Sequence, residues 1–546
     1  MKHLQIILLC FLISTAMAQR SVGVLSYDAT LSADGLNLIY PLGQSDTYLI
    51  DNCGEVVHSW QGSDELVAST VAYLLPDASL IRTCKPKEFP IGAFSAGGAG
   101  GVIQIVTWEN DLLWQYEVLD SERRAHHDVE VLPSGNVLIL AWERMSKVEM
   151  VEAGWDTIRS DLDELWSDYI MEVDPVTDSV VWEWHAWDHL VQDFDSTRNN
   201  YGQVGEMSHR ININADIGSF GLRPDWLHTN AMDYHQEREQ IVLSVPNFSE
   251  VWIIDHSTTT AEAQGGMGGR SGKGGDLLYR WGNPAMHAEG TENDQKLFFQ
   301  HDAQWQTYEV QGVEYDAIMV YNNRKGGLLS EVELFVPTYD ELNSTYLQES
   351  GVYLTDSVTS IGHPEPELAY SDGMSGAQIL DNGNMLVCSS RRGYAYELSE
   401  SRELVWEYIF PFRNGAAVPQ GAELLVGENR VFDMNRYSYD YPAFIDKSLT
   451  SMGLLELEGE NICTETSNYE QLSTTWQLYP NPASEYISIE GVPPSSKIKL
   501  TTLQGETCNS GVARGGSIHI DTSILSSGVY LVWIDGRPVE KIVVVH

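Results

Sequence analysis

The sequence predicts an all-β chain, a β-propeller followed by a small antiparallel β-sandwich. Two observations carry the propeller. Between about residues 45 and 445 the chain keeps returning to a pair of short alternating apolar strands joined by a Gly-Asn or similar turn, and a later strand bearing Trp follows most copies. The sandwich rests on a further run of alternating strands that begins near residue 470.

The N-terminal residues come first. Lys2 and His3 precede an apolar run from Leu4 to Ile13, which ends in Thr15-Ala16-Met17-Ala18. That run is shorter than the ~20 residues a bilayer-spanning helix needs, and small residues stand where a signal peptidase reads. A cleaved signal peptide over 1–18 is expected, and with it a secreted or cell-surface protein exported through the periplasm. No later segment is long and apolar enough to span a membrane. The rest exceeds what one hydrophobic core organises, so the expected domains are a propeller over 19–465 and a small module over 470–546.

The clearest hairpins are Val129 to Ile139, turning at Ser134-Gly135-Asn136, and Ala377 to Val387, turning at Asn382-Gly383-Asn384. Val71 to Ile81 is a degenerate copy. Such turns between alternating strands are hairpin signals. The Trp-bearing strands are Leu113-Trp114-Gln115-Tyr116, Val181-Trp182-Glu183-Trp184, Leu278-Tyr279-Arg280-Trp281 and Val405-Trp406-Glu407-Tyr408. Repeats of ~40 to 50 residues or longer, made only of short strands, indicate blades stacked face to face. A β-sandwich is the alternative, since both are strand-and-turn folds. Among the insertions, residues 145–170 read as a short helix over one mouth. The Gly-rich stretch 257–276 reads as a flexible surface loop: Met267 and Gly274 stand where a phosphate-binding loop needs Gly and Ser or Thr.

Composition narrows the partners. The chain has 78 Asp and Glu against 32 Lys and Arg, a formal charge of −46. Nucleic acid and anionic lipid are repelled by such a surface. Any anionic substrate needs positive charge gathered locally. Six cysteines are present; Cys10 leaves with the signal peptide, and the spacings fit no zinc ribbon or finger. An exported chain can pair Cys53 with Cys84 or use Cys463, and the sequence does not decide the connectivity.

Aligning the hairpins on their turns places His127, after His126 and before Asp128, at the head of one inner strand. Asp225-Trp226-Leu227-His228-Thr229-Asn230 and Phe299-Gln300-His301-Asp302-Ala303 begin two further copies. The start of a propeller's innermost strand faces the mouth of the central channel. Three consecutive blades thus aim His127, His228 and His301 at one axial pocket. Three imidazoles suit a transition-metal site, or a site that holds an oxyanion and accepts a transferred group. No tightly bound metal is expected, because each ligating imidazole usually has a carboxylate behind it and only Asp128 and Asp302 are obvious candidates.

These segments, with Leu132-Pro133-Ser134-Gly135-Asn136, Gly383-Asn384, Trp406-Glu407-Tyr408 and Asn435-Arg436-Tyr437-Ser438, resemble the successive signatures of bacterial aryl-sulfate sulfotransferases over about residues 45 to 445. The resemblance implies a six-bladed propeller that moves a sulfuryl group from a phenolic sulfate donor to a phenol acceptor, with neither a nucleotide donor nor a cofactor. It implies that His301 is transiently sulfated, and that His228 with Asn230, and His127 or His126, bind the sulfuryl oxygens and exchange the phenol proton. One departure stands out. The family places Arg at the end of the strand after the H-x-N segment, where this chain has Pro246; Arg391, Arg392, Arg223 and Arg280 are candidate substitutes, with Arg391 and Arg392 taken as substrate-binding. A catalytically silent surface propeller that binds a ligand is the alternative function. The tail, opening Tyr479-Pro480-Asn481-Pro482 and closing through Ser527-Gly528-Val529-Tyr530-Leu531 to Lys541, resembles the C-terminal sorting domain of the type IX secretion system of Bacteroidetes, which implies that secretion machinery as a partner.

Overall fold

A computed structural model describes residues 21–89, 92–310, 313–463, 477–492, 496–502, 507–514, 517–534 and 537–546; the expected signal peptide lies outside the described residues. The chain is 47% strand and 8% helix, an all-β propeller. Among the described residues, six antiparallel sheets of four or five strands make up its body. Their leading strands are Val431–Tyr437, Leu66–Leu74, Arg123–Val131, Ala231–His235, His301–Val310 and Gly376–Ile379, here the first to sixth sheets. Each leading strand touches the next, and the sixth returns to the first.

The three hairpins read from the sequence are the first two strands of the second, third and sixth sheets. Their turns need a left-handed residue, met by Gly135 (φ 86°) and Gly383 (φ 84°), while the degenerate copy uses Ala78 (φ 72°). The Trp-bearing strands lie at or next to the outer edges of the sheets, and the indoles have a specific task. Trp60 Nε1 of the first sheet donates to the Thr107 carbonyl (3.1 Å), Trp114 of the second to Asp178 Oδ1 (2.8 Å), Trp182 of the third to Thr258 Oγ1 (3.2 Å), and Trp406 of the sixth to the Asn52 carbonyl (2.8 Å). In the fourth, Trp281 stacks on Phe335 of the fifth. The recurring aromatic is therefore an inter-sheet latch: a large apolar face seals the gap between sheets, and its one N–H reaches the neighbour.

Aspartates near the heads of the leading strands fasten the inner ends. The Oδ2 atoms of Asp128, Asp233 and Asp302 accept the backbone N–H of Met232 (2.9 Å), Trp305 (2.6 Å) and Ala377 (2.8 Å), each in the following sheet.

The ring is closed by the two ends of the propeller. Val431–Tyr437 pairs with Leu36–Pro41, with Leu36 opposite Tyr437, and Gly23–Tyr27 adds outside Leu404–Ile409 of the sixth sheet. Across the seam, the buried Arg436 guanidinium pairs with Glu397 and donates to Asn37 Oδ1 (2.8 Å) and the Ala33 carbonyl (3.0 Å). Glu397 also accepts from Ser32 Oγ, the Ala33 N–H and Asn384 Nδ2. Cys53 is bridged to Cys463, not to Cys84, which is unbridged and buried with its thiol 3.3 Å from the Tyr40 hydroxyl.

The insertion at 145–170 contains the short helix Lys147–Glu152, started by a Ser146–Glu149 capping box. The stretch 257–276 has some regular structure. It holds the helix Thr260–Ala263, and Gly275 is wedged so that a Cβ there would lie 2.0 Å from the Ala263 carbonyl oxygen. The tail forms a sheet of three strands and one of four, which share a core including Ile487, Ile489, Leu500, Val532 and Ile542.

Arg436→Met should lower the melting temperature of the protein markedly, because it strands a buried Glu397 carboxylate at a cost of about 3–5 kcal/mol. The double variant Arg436→Met/Glu397→Leu should recover most of that loss. Thermal unfolding followed by tryptophan fluorescence checks both, and an unchanged single variant would mean that the seam is held elsewhere.

Candidate active site

The heads of the leading strands are irregular, and that irregularity aims the histidines. His127, His228 and Phe299 have left-handed backbones (φ 52°, 58° and 58°), and the ladders slip at Ile139/Ala141 and His301/Gln304. A bulge of this kind turns a side chain that would lie across the sheet toward the axis. Non-glycine residues held in this region are strained and persist only where their surroundings impose it.

The imidazoles of His127, His228 and His301 come together. The rings of His127 and His228 meet edge to face at 4.7 Å. Phe432, on the closing strand, lies 5.9 Å from the His127 ring and 6.2 Å from that of His301. Phe299 stands 6.2 Å from His228 and 5.7 Å from His301.

The protonation state of His301 follows from its neighbours. Asn323 Nδ2 donates to the Ser371 and Met374 carbonyls (3.0 and 2.8 Å), which turns its Oδ1 to His301 Nδ1 at 2.8 Å. Nδ1 therefore carries the proton. Nε2 presents its lone pair and accepts the Met374 N–H at 3.0 Å. Burial, only partly offset by Asn323, pushes the His301 pKa down to about 3, so the ring is neutral at physiological pH.

His127 is orientated by a relay. Asp168 Oδ1 lies 3.3 Å from His126 Nε2, and His126 Nδ1 lies 2.8 Å from His127 Nδ1. The two Nδ1 atoms share one proton, and the Asp168 approach is electrostatic, with no hydrogen bond between Oδ1 and Nε2. Burial and then the His228 charge hold His127 well below the ordinary imidazole range. His126 itself is stacked at 3.9 Å on Trp142 inside the sheet. It touches His127 and does not line the cluster.

His228 differs. Burial alone lowers its pKa, but Asp225 Oδ2 at 2.5 Å from Nδ1 outweighs this, and the net shift is upward. Asn247 Nδ2 holds the loop by donating to the Asp225 and Trp226 carbonyls. One pocket thus contains two imidazoles driven neutral and one favoured as imidazolium. Among the described residues no group of three or more His, Cys, Asp or Glu is arranged to hold a metal ion.

Asn230 is buried, and its Nδ2 donates to the carbonyl of Gln300 at 2.9 Å, the residue before His301. Pro246 is buried in a turn whose carbonyl accepts the Ser249 N–H. Arg280 is taken up by Glu250 on the outermost strand of the fourth sheet, and Arg223 is exposed near Phe220. Arg392 Nε donates to the Tyr370 carbonyl, and Arg391 Nε to Asp372 Oδ1. The cation that the sequence reading missed is Arg324. It follows Asn323 near the end of the strand paired with His301, its guanidinium lies 3.9 Å over the Phe299 ring, and its charge acts on His301. Comparing the ends of the second strands, where Lys85, Pro246, Arg324 and Arg391 stand, is the signal that finds it.

Along the axis gather Asp128, Glu130, Asp233, Asp302 and Asp433. Burial raises every one, Asp128 to about 7 and Asp233 and Asp433 to about 6. Tyr73 donates its hydroxyl to Asp128 Oδ1.

A strap, residues 92–101, lies over the pocket. Gly98 O accepts the His127 N–H at 2.9 Å, and buried Arg124 holds the carbonyls of Phe94 and Gly100. A Cβ on Gly98 (φ 72°) would lie 2.1 Å from His127 Nε2, and one on Gly97 3.2 Å from the His228 ring. Gly98→Ala should therefore displace His127 and lower the melting temperature more than Gly135→Ala, which has the same backbone sign but nothing within 4 Å of its Cβ. The control isolates the backbone term of about 1 kcal/mol. Equal shifts for both variants would contradict the close contact.

No curated protein matches the chain. Solved structures with some likeness include a protein of unknown function from Bacteroides caccae (9% identity, TM-score 0.39, covering 74% of this chain and 99% of that one). Others are virginiamycin B lyase from Staphylococcus aureus (8%, 0.31, 73% and 87%) and a periplasmic gluconolactonase from Pseudomonas aeruginosa (11%, 0.30, 74% and 99%). The secretion system C-terminal sorting domain matches residues 477–544, which indicates export to the cell surface or medium. The arylsulfotransferase family model matches residues 34–410, which takes in all three imidazoles, and the chain belongs to that family.

Proposed function

We propose that the protein transfers a sulfuryl group between phenols through His301, with His228 as the proton carrier. The observation that carries this reading is the division of labour among the imidazoles: His301 is neutral with its lone pair on Nε2, and His228 is biased toward the cation. In the first half-reaction the Nε2 lone pair attacks sulfur and the S–O(aryl) bond breaks. Its electrons go to the phenoxide oxygen, which takes the proton of His228 Nε2. The second half reverses this: an acceptor phenol gives its proton to His228, its oxygen attacks sulfur, and the S–N pair returns to His301. Sulfur approaching Nε2 displaces the Met374 N–H, which is then free to meet a sulfuryl oxygen. With His126 Nδ1–H donating to His127 Nδ1, the His127 Nε2–H and the Arg324 guanidinium flank the same oxygens, and Arg324 takes the part for which Pro246 has no group. Asn323 is a positioning residue that keeps the His301 tautomer.

A substrate-free surface role is the second reading, favoured by Pro246. Incubation with an aryl sulfate, with and without a phenol acceptor, decides between them: no phenol release with any donor supports the silent propeller.

His301→Ala should abolish exchange, and quenched wild-type protein exposed to donor alone should show a labile sulfuryl adduct on the His301 peptide by mass spectrometry. Robust turnover by His301→Ala would remove the assignment. In pH profiles of first-turnover phenol release, protonation of His301 should impose no acidic limb until about pH 3. The rate should fall as pH rises through the elevated His228 pKa, above the ordinary imidazole value, because the general acid is then lost. His228→Gln should remove that basic limb and slow release by about 10²–10⁴-fold. A limb that persists in His228→Gln would assign the proton to another group.

A further inference from the structure

A chain of net charge −46 gathers cations around one mouth. Lys85 is near the end of the second strand of the second sheet (Leu80–Pro86), Arg391 follows the second strand of the sixth (Met385–Ser389), and Arg430 immediately precedes the closing strand. They lie at the same edge of the ring as the histidines, which stand on the third, fourth and fifth sheets. Lys85 and Arg430 are partly buried, and neither forms an ion pair with a carboxylate among the described residues. Arg391 is paired with Asp372, whose carbonyl also takes Arg324 Nε.

The cations feel one another. After burial, Arg124 and Arg430 depress Lys85, while Arg391 depresses Arg430 and contributes to lowering Arg324. The closing strand packs on Leu66–Leu74, whose Val67 is opposite Lys85, and Ser390–Arg392 packs on the closing strand, so the like charges form an arc across the second, first and sixth sheets, with Arg324 on the fifth beside the strand of His301. Partly burying Lys85 and Arg430 with no carboxylate against either is not repaid within the protein, so the arrangement is that of a site for an anion, with Arg391, already held by Asp372, at its edge. The closing strand joins it to the pocket: Arg430 stands two residues before Phe432, the ring beside both His127 and His301.

We propose that Lys85, Arg391 and Arg430 form a second anion site at the mouth, which selects phenolic sulfates bearing a further anionic substituent, a carboxylate or second sulfate, on the side of the ring away from the transferred group. This rests on the sulfuryl-transfer reading above. The transferred group occupies the imidazoles, the aryl ring lies along Phe432 and Phe299, and the second charge reaches the arc.

The test compares 3-carboxyphenyl sulfate with its neutral isostere 3-carbamoylphenyl sulfate, using first-turnover kcat/KM at low and high salt. The carboxylate should be preferred by about tenfold at low ionic strength, with the preference fading toward parity at roughly 1 M salt, where the screening length is ~3 Å. Lys85→Gln/Arg430→Gln should bring the ratio close to one, and the charge-retaining Lys85→Arg should keep it. Equal kcat/KM for the two esters in the wild-type protein overturns the arc and leaves sulfuryl transfer standing. If neither ester is turned over, sulfuryl transfer falls, and equilibrium binding of the same two esters reads the arc alone. Tighter binding of the carboxylate that is lost in the double variant upholds the site, and equal binding overturns it.

Discussion

The pocket depends on the pairing of a strand made last in the propeller, Val431–Tyr437, with one made near its beginning, Leu36–Pro41. The strands that carry His127, His228 and His301 are fastened to one another through Asp128 and Asp233, and closure brings the remaining wall of the pocket against them. The closing strand also furnishes the site. Phe432 stands between two of the imidazoles, Asp433 joins the axial carboxyl groups, and Arg436 locks the seam against Glu397. Closure is thus a condition of both stability and chemistry, and the buried ion pair at the seam is where the two meet.

An anionic substrate in a strongly acidic protein poses an electrostatic problem, which the fold meets by burial. The axial carboxyl groups are so desolvated that their pKa values rise toward or beyond neutrality, and part of the negative charge along the axis is therefore absent at working pH. Burial acts in the opposite sense on His301 and His127, keeping a lone pair available. Only His228, with a carboxylate against its Nδ1, is biased toward the charged form. One physical effect, loss of water, sets the first two conditions, and the single contact with Asp225 makes the exception.

What could be read from the sequence was whatever repeats locally. Gly135 and Gly383 mark hairpins because the turn demands their backbone, and the Trp strands recur because each indole has the same task. His127, His228 and His301 could be read as neighbours because a strand head is a defined place in such a ring. The first sheet was not legible, since its leading strand comes from the far end of the propeller and pairs with Leu36–Pro41 across the seam. The fifth broke the period: its outer strand, Thr355–Gly362, arrives only after two small ladders, Tyr339–Asp340 with Thr345–Tyr346 and Gln348–Glu349 with Val352–Tyr353. Asn323 and Arg324 act on His301 across a strand pairing, so no spacing along the chain announces them. The partner of Cys53 lies 410 residues away, and the Asp168–His126–His127 relay reaches from the third strand of one sheet to its first in the same unannounced way.

The order of the parts along the chain has a consequence for quality control. The sorting domain begins after the closing strand and after Cys463, so the address that exports the protein is synthesised after the propeller. A chain cut short anywhere within the propeller lacks its keystone, and it also lacks the label for delivery. The cell needs no separate inspection to keep open rings off its surface, because an incomplete product is undeliverable by construction.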